Sequence, residues 1–287
     1  MTRIENGGIR RLLDLILFNN ETKLGFLLVS GFVATAIIVA LGGPSVVPYD
    51  PIAQDVGPAL APPSQTYLFG TDNLGRDLFS RIVFATPNAA FISFVVAGVS
   101  FLVGALLGIA AAYWGGILDE ILMRITDVFF AIPTLVLAMV IAIILGPGVV
   151  HMMYALLIVW WPTYARLARG EALRIIEYNF VAAAKTSGLK TLTILRKHIF
   201  PNILTPLVAY ATIEIGSVII VYAGLSYLGL SVRPPTPDWG AMVSAYQDYL
   251  IAAPWLPLFP ALVIGLITVG FSLLGDGLRD AIESASR

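Results

Sequence analysis

Phe180–Asn202, FVAAAKTSGLKTLTILRKHIFPN, sets Lys185, Lys190, Arg196 and Lys197 between two long apolar segments. Upstream, between Asp127 and Arg166, only His151 can carry a charge; downstream, Thr205 to Leu230 contains a single ionisable acid, Glu214. Runs of this length exceed the ~9–11 residues of a barrel strand, and in lipid every backbone polar group must be satisfied within its own segment. Both flanks are therefore predicted to be membrane helices, and the basic stretch a return to water.

The composition agrees. The chain is 58% hydrophobic and 12% charged, against roughly 25% charged in a soluble domain. Its mean hydropathy is +0.86. The fold class is all-α integral membrane. Leu24 to Gly43 and Ile82 to Leu118 contain no charged side chain and supply spans one and two, each able to cover the ~30 Å hydrocarbon core. Gly146-Pro147-Gly148 is a turn signal that divides the Asp127–Arg166 interval into spans three and four. Span five runs from about Thr205 to Leu230, and span six lies within the uncharged interval Tyr249 to Gly275.

Six spans put both termini on one side, and the basic residues say which. Arg3, Arg10, Arg11 and Lys23 precede span one; Arg124 follows span two; Arg166, Arg169, Arg174 and the four of the opening stretch follow span four; Arg279 and Arg287 follow span six. Only Arg76, Arg81 and Arg233 fall in the other loops. A multi-pass cell-membrane protein with cytoplasmic termini is expected. The charged start followed by an apolar run reads as an uncleaved anchor, because the run is long for a signal peptide and shows no small-residue cleavage site. Ile9–Phe18, IRRLLDLILF, reads as an interfacial helix before it. The expected organisation is a cytoplasmic N-terminal segment over 1–23 and a six-span domain over 24–287. Its outer loop covers about 44–88 and its large cytoplasmic loop about 166–204.

Several chemistries are excluded. With no Cys there is no disulfide, Fe–S cluster or thiol nucleophile, and with two His the usual imidazole metal sites are absent. A net charge of -1 argues against nucleic acid. No G-x4-G-K-[ST] motif is present to cradle phosphates, so the chain has no nucleotide cofactor of its own. Neither a catalytic constellation nor a metal site is expected.

Within the opening stretch, Phe180, Ala183 and Ala184 share one helical face, and Leu189, Leu192, Leu195 and Ile199 recur near helical spacing. Gly188 between them suits a left-handed bend, so two short helices are predicted. By physics alone they are either a connector resting on lipid headgroups or a docking site for a cytoplasmic partner.

Ala182-Ala183-Ala184, Gly188 and Pro201 stand at the spacing of the EAA loop, E-A-A-x3-G with Pro thirteen residues after the Gly. Further segments resemble the C-type permease of dipeptide and oligopeptide ABC importers: GTDNLGRDLFSR (Gly70–Arg81), MRITDVFFAIPTLVLAMV (Met123–Val140), LSYLGLSVRPPTPDWG (Leu225–Gly240) and LLGDGLRDAI (Leu273–Ile282). The chain departs from that pattern with Ala182 where the family has Glu and Phe200 where it has Leu.

The resemblance implies a half-transporter paired with a homologous permease, two ATP-binding subunits that hold ATP and Mg, and an extracytoplasmic substrate-binding protein. It implies that Val181, Ala182, Ala183, Ala184, Lys185, Gly188 and Pro201 couple the chain to the ATPase, as a coupling helix between spans four and five. It also implies import of di- or oligopeptides, with oligosaccharide or nickel as alternatives. An ion-coupled secondary transporter would be expected to show internal repeats, and none is evident. A membrane enzyme would need a catalytic partner for Glu214.

Four outer residues, Arg76, Asp77, Arg233 and Asp238, are expected either to contact the binding protein or to cap the span ends, with Asp77 paired to Arg76 or Arg81. A carboxylate within span five costs several kcal/mol unless it is protonated, paired or wet. Glu214 is accordingly expected to be hydrogen-bonded by Tyr210 or Ser217, and either to be a protonated acid bonded between helices or to line a translocation path together with Ser217 and Tyr222. Gly98, Gly104 and Gly108 in span two offer close-approach sites, within the chain or between subunits.

Overall fold

The computed structural model describes residues 19–285; the interfacial helix expected over Ile9–Phe18 lies outside the described residues. Helix α1, Asn20–Gly42, begins where the Asn19 side chain accepts a hydrogen bond from the Glu21 amide at 3.0 Å. The chain then runs without a helix longer than one turn until α2, Leu78–Trp114, which is 37 residues long and capped by Asp77 accepting from the Ser80 amide at 2.8 Å. Gly115, at φ +61, ends α2 in a conformation that favours glycine. Next come α3, Gly116–Phe130; α4, Thr134–Leu145; and α5, Val149–Ile176. Two short helices follow, α6 over Asn179–Thr186 and α7 over Thr191–Ile194. A π-helical turn, Leu195–Ile199, leads from α7 into α8, Phe200–Tyr227. The bundle closes with α9, Trp239–Tyr246, and α10, Trp255–Ala285.

Among the described residues four helical stretches are long and apolar enough to cross a membrane: Asn20–Val46, Leu78–Trp114, Thr191–Tyr227 and Trp255–Ile282. A fifth is possible only as a bent pair, because α3 and α4 meet at 89°. The straight third span expected between Asp127 and the Gly146 turn is therefore broken. Pro133 is the reason: it has no N–H to donate and disfavours helical geometry at Ile132, so the helix stops at Phe130 and restarts at Thr134. At ~1.5 Å per residue, the twelve residues of α4 are too short to cross the core alone. α5 has length enough, but Arg166, Arg169, Glu171 and Arg174 occupy its second half.

The core sits where α2, α5 and α8 meet and continues under α9 and α10, through Ile92, Leu156, Val218, Leu225, Trp239 and Phe271. Small residues bring α2 against α5. A Cβ on Gly104 would stand 2.5 Å from the Trp161 carbonyl oxygen, and one on Gly108 would stand 2.8 Å from the Arg169 nitrogen. Both glycines are thus spent inside the chain, whereas Gly98 has open space beside it. A second core at the other end ties α6 and α7 to the long helices: Val181, Ala184, Ile194 and Ile199 pack with Ala105 and Ile109 of α2, Ala168 and Ile175 of α5, and Ile203 of α8.

Candidate functional site

At that second core, the amphipathic face differs from the one expected. Val181 and Ala184 of α6 point inward, with Ile194 and Ile199 beyond the bend, while Phe180, Ala182, Ala183, Lys185, Gly188, Leu189 and Leu192 are exposed. Leu192 is 73% exposed, far more than a leucine buried in a fold. Gly188 adopts φ +74, so the bend forms at the glycine as its residue type suggested. Lys185 Nζ lies 5.2 Å from the centre of the Tyr113 ring, at the end of α2. Pro201, exposed, is the second residue of α8 and follows directly on the π-helical turn. On the neighbouring surface, Arg169 forks onto Asp119 at 2.5 and 2.6 Å, and Arg166 pairs with Asp127 at 2.5 Å, joining α5 to α3. The result is a short helix pair anchored by one face and presenting a mixed apolar and basic face outward.

Within the bundle, Glu214 on α8 is half-buried and its carboxylate accepts from Trp160 Nε1 on α5 at 2.7 Å. Tyr210, one turn back, lies against the same carboxylate, and its ring meets that of Tyr164 edge-on at 6.0 Å. Ser217, one turn further on, is half-buried. The Trp160 donor was missed from sequence, since 54 positions separate it from Glu214 and no local spacing links them.

At the end of the bundle that carries residues 43–77 and 228–254, two buried carboxylates organise the loops. Asp238 is 2% exposed; its oxygens accept from the hydroxyls of Tyr222, Ser226 and Ser231 and from the Ala241 amide at the start of α9. Tyr222 is therefore enclosed within the chain, with its hydroxyl donating to Asp238, which corrects the expected placement on an open path. Asp238 is likewise an internal cap, not a surface contact, and Arg233 alone of the four outer residues is exposed. The expected pairing of Asp77 is also corrected. Asp77 caps α2, and the acid that pairs with arginine is Asp72, whose Oδ2 accepts from Arg76 Nε at 2.7 Å and lies 4.0 Å from Arg81 Nε. Two patterns in the sequence carry this distinction: Asp72 stands four positions before Arg76, and Asp77 stands three before Ser80, the spacing of an N-cap. Tyr246 also donates to Asp72, at 2.8 Å, and burial pushes its hydroxyl up to about 12 while Arg81 pulls the other way. It remains a protonated donor at neutral pH.

Residues 104–287 match the model of a family described as binding-protein-dependent transport system inner membrane component. The chain is 40% identical over 247 residues to a probable D,D-dipeptide transport system permease of Escherichia coli K12, covering 86% of this chain and 83% of that protein. It is 37% identical over 271 residues to a di/tripeptide transport system permease of Pseudomonas aeruginosa UCBPP-PA14, covering 92% and 88% respectively. A glutathione transport system permease of Escherichia coli O6:K15:H31 is 39% identical over 253 residues, covering 88% and 84%. Among solved structures, an inward-facing methionine ABC transporter shares the fold with a TM-score of 0.57 at 19% identity, covering 70% of this chain and 96% of that one. An all-helical bundle with apolar membrane-length helices, matched by the family model over more than half of its length and by those permeases over most of it, belongs to the family of binding-protein-dependent transport system inner membrane components.

Proposed function

We propose that this chain is a permease subunit of an ATP-driven, binding-protein-dependent importer of di- and oligopeptides. The observation that carries the reading is its 40% identity, along 86% of its length, to a probable D,D-dipeptide transport system permease. Six spans follow if the bent pair α3–α4 and the helix α5 are each counted with the four unambiguous stretches, and the loop charges then put both termini and α6–α7 in the cytoplasm. The chain carries no nucleotide motif, so ATP and Mg belong to two partner subunits. A homologous permease completes the pore, and an extracytoplasmic binding protein delivers cargo.

In this reading α6 and α7 are the coupling element. Their exposed face, with Ala182, Ala183, Lys185, Gly188, Leu189 and Leu192, docks on the ATPase, while Val181 and Ala184 transmit its movement into α2, α5 and α8. Pro201 starts the helix that receives it. Glu214, held between α8 and α5 with Ser217 a turn away, is the polar element of the translocation path. Arg233 is the outer residue placed to meet the binding protein, while Arg76 and Asp77 hold the cap behind it.

The natural absence of cysteine gives a silent background for the test. With cysteine introduced at Leu192 and carrying a thiol-attached benzophenone, we expect photo-cross-linking to the ATP-binding subunit in the assembled transporter, and, in the chain without that subunit, labelling by a membrane-impermeant maleimide only in inside-out vesicles. Labelling from the outer side, or no cross-link to that subunit, refutes the docking role.

A further inference from the structure

Helix α3 runs across α5, not along it. α4 and α5 pack together on either side of the Gly146-Pro147-Gly148 turn, with Ala138 buried in the same core as Met152 and Leu156, and α3 meets α4 at 89°. The ion pairs agree. Asp119 and Asp127 stand eight residues, about 12 Å, apart on α3, yet their partners Arg169 and Arg166 lie within one turn of α5. The level is fixed as well. Gly148 donates its amide to the Leu230 carbonyl at 3.1 Å, so α5 starts beside the loop segment 228–254. Arg166 and Arg169 follow Val149 by 17 and 20 positions, which at ~1.5 Å per residue matches the thickness of the hydrocarbon core. α3 therefore lies crosswise at one boundary of that core, and Trp114, exposed at the end of α2, stands just before it.

Of the 15 residues of α3 only Thr126 is buried, on the face turned to Arg166. To one side of that contact Ile117, Ile121, Ile125 and Val128 recur at helical spacing as an exposed apolar arc, with Ile117 77% exposed. To the other side Glu120, Arg124 and Asp127 form an exposed charged arc. The exposed apolar surface continues along the chain into α4, through Val136, Val140 and Ile144. A helix that shows an apolar and a charged arc side by side satisfies both at a boundary between oil and water.

We propose that α3 is an interfacial anchor whose partner is the lipid bilayer. Ile117, Ile121, Ile125 and Val128 sink among the acyl chains, while Glu120 and Arg124 stay in water. α4, with residues 131–133 and 146–148, makes the crossing from that level. Arg166 and Arg169 tie the anchor to the stretch of α5 whose Ala168 and Ile175 pack in one core with Val181 and Ala184 of α6, so lipid steadies the helix beside the coupling element. That this boundary is the cytoplasmic one rests on the permease reading above.

The test places single nitroxide-labelled cysteines on both arcs, at Ile117, Ile121 and Val128 and at Glu120 and Arg124, in the assembled transporter cleared of other cysteines and held in nanodiscs. All five side chains are exposed, and each arc is read at more than one position. EPR power saturation then compares collision with oxygen, which partitions into lipid, and with a neutral nickel chelate, which stays in water. We expect the oxygen-to-nickel ratio to be at least fivefold higher on the apolar arc than on the charged one. Ile117 and Val128 should report the same depth, about 5–10 Å below the headgroups. Labels on the apolar arc that neither reagent reaches mean that a protein partner covers it, and the proposal falls. Nickel access on both arcs, or a depth that grows steadily from Ile117 to Val128 as in a crossing helix, also overturns it. The labels read depth and not transport, so this result can fail while import stands, and a missing cross-link from Leu192 leaves the depth of α3 as it is.

Discussion

Glu214 shows what a residue in a membrane helix reveals and what it conceals. Its type and position fixed that it must be paired, protonated or wet, since an isolated carboxylate in lipid costs several kcal/mol. One donor, Trp160, was hidden, because that contact exists only once α5 and α8 pack. Asp72 and Asp77 teach the same lesson at short range: both acids were visible beside two arginines, and only local geometry decides that one caps a helix while the other pairs. For Glu214 the account makes a two-sided prediction. Glu214→Gln keeps an acceptor for Trp160 and should leave thermal stability nearly unchanged. Glu214→Leu strands the indole N–H and should cost about 1–3 kcal/mol. If the carboxylate serves the path, peptide uptake falls at least tenfold in Glu214→Leu while the complex still assembles and keeps its basal ATPase activity. Unaltered uptake, or a complex that no longer assembles, counts against that role.

Among the elements, the long apolar helices were legible because an uninterrupted apolar run longer than the bilayer core has few other solutions. The break in the third was written in Pro133, but an uncharged interval reads the same whether it is straight or bent, so the 89° turn between α3 and α4 was not foreseen. The glycines of α2 left a choice between a contact within the chain and one between subunits, and packing on α5 resolves Gly104 and Gly108 to the former. Gly108→Leu should therefore force α2 and α5 apart and lower stability by about 1–3 kcal/mol, read as a fall in unfolding temperature in detergent. Gly98→Leu, facing open space, should stay within about 0.5 kcal/mol of the wild type. Equal effects at the two positions would contradict the assignment of the α2–α5 contact.

At the scale of the whole molecule, the basic stretch between the fourth and fifth expected spans was legible in both position and bend. The face it presents was not, because alanines at several successive positions leave the helix without a distinct apolar stripe until Val181 and Ala184 find their partners. The enclosure of Tyr222 and Asp238 was equally hidden, since a tyrosine inside a span and an acid in a proline-rich loop look accessible until they meet. The claim that joins these parts is that movement of an ATPase enters this chain through α6 and α7. Gly188 is where that claim is most exposed. Its φ of +74 is closed to proline, whose ring holds φ near −65°, and its amide donates to the Lys185 carbonyl at 3.1 Å, a bond proline removes. Gly188→Pro falls outside the four membrane-length stretches and should reorient α7, which opens the third of them, relative to α6. The decisive measurement is uptake of labelled dipeptide, together with ATP hydrolysis, in proteoliposomes holding the complete transporter with this substitution. The account expects an inserted, assembled complex whose uptake falls at least tenfold and whose binding-protein-stimulated ATPase activity falls with it; wild-type uptake in that complex would contradict it.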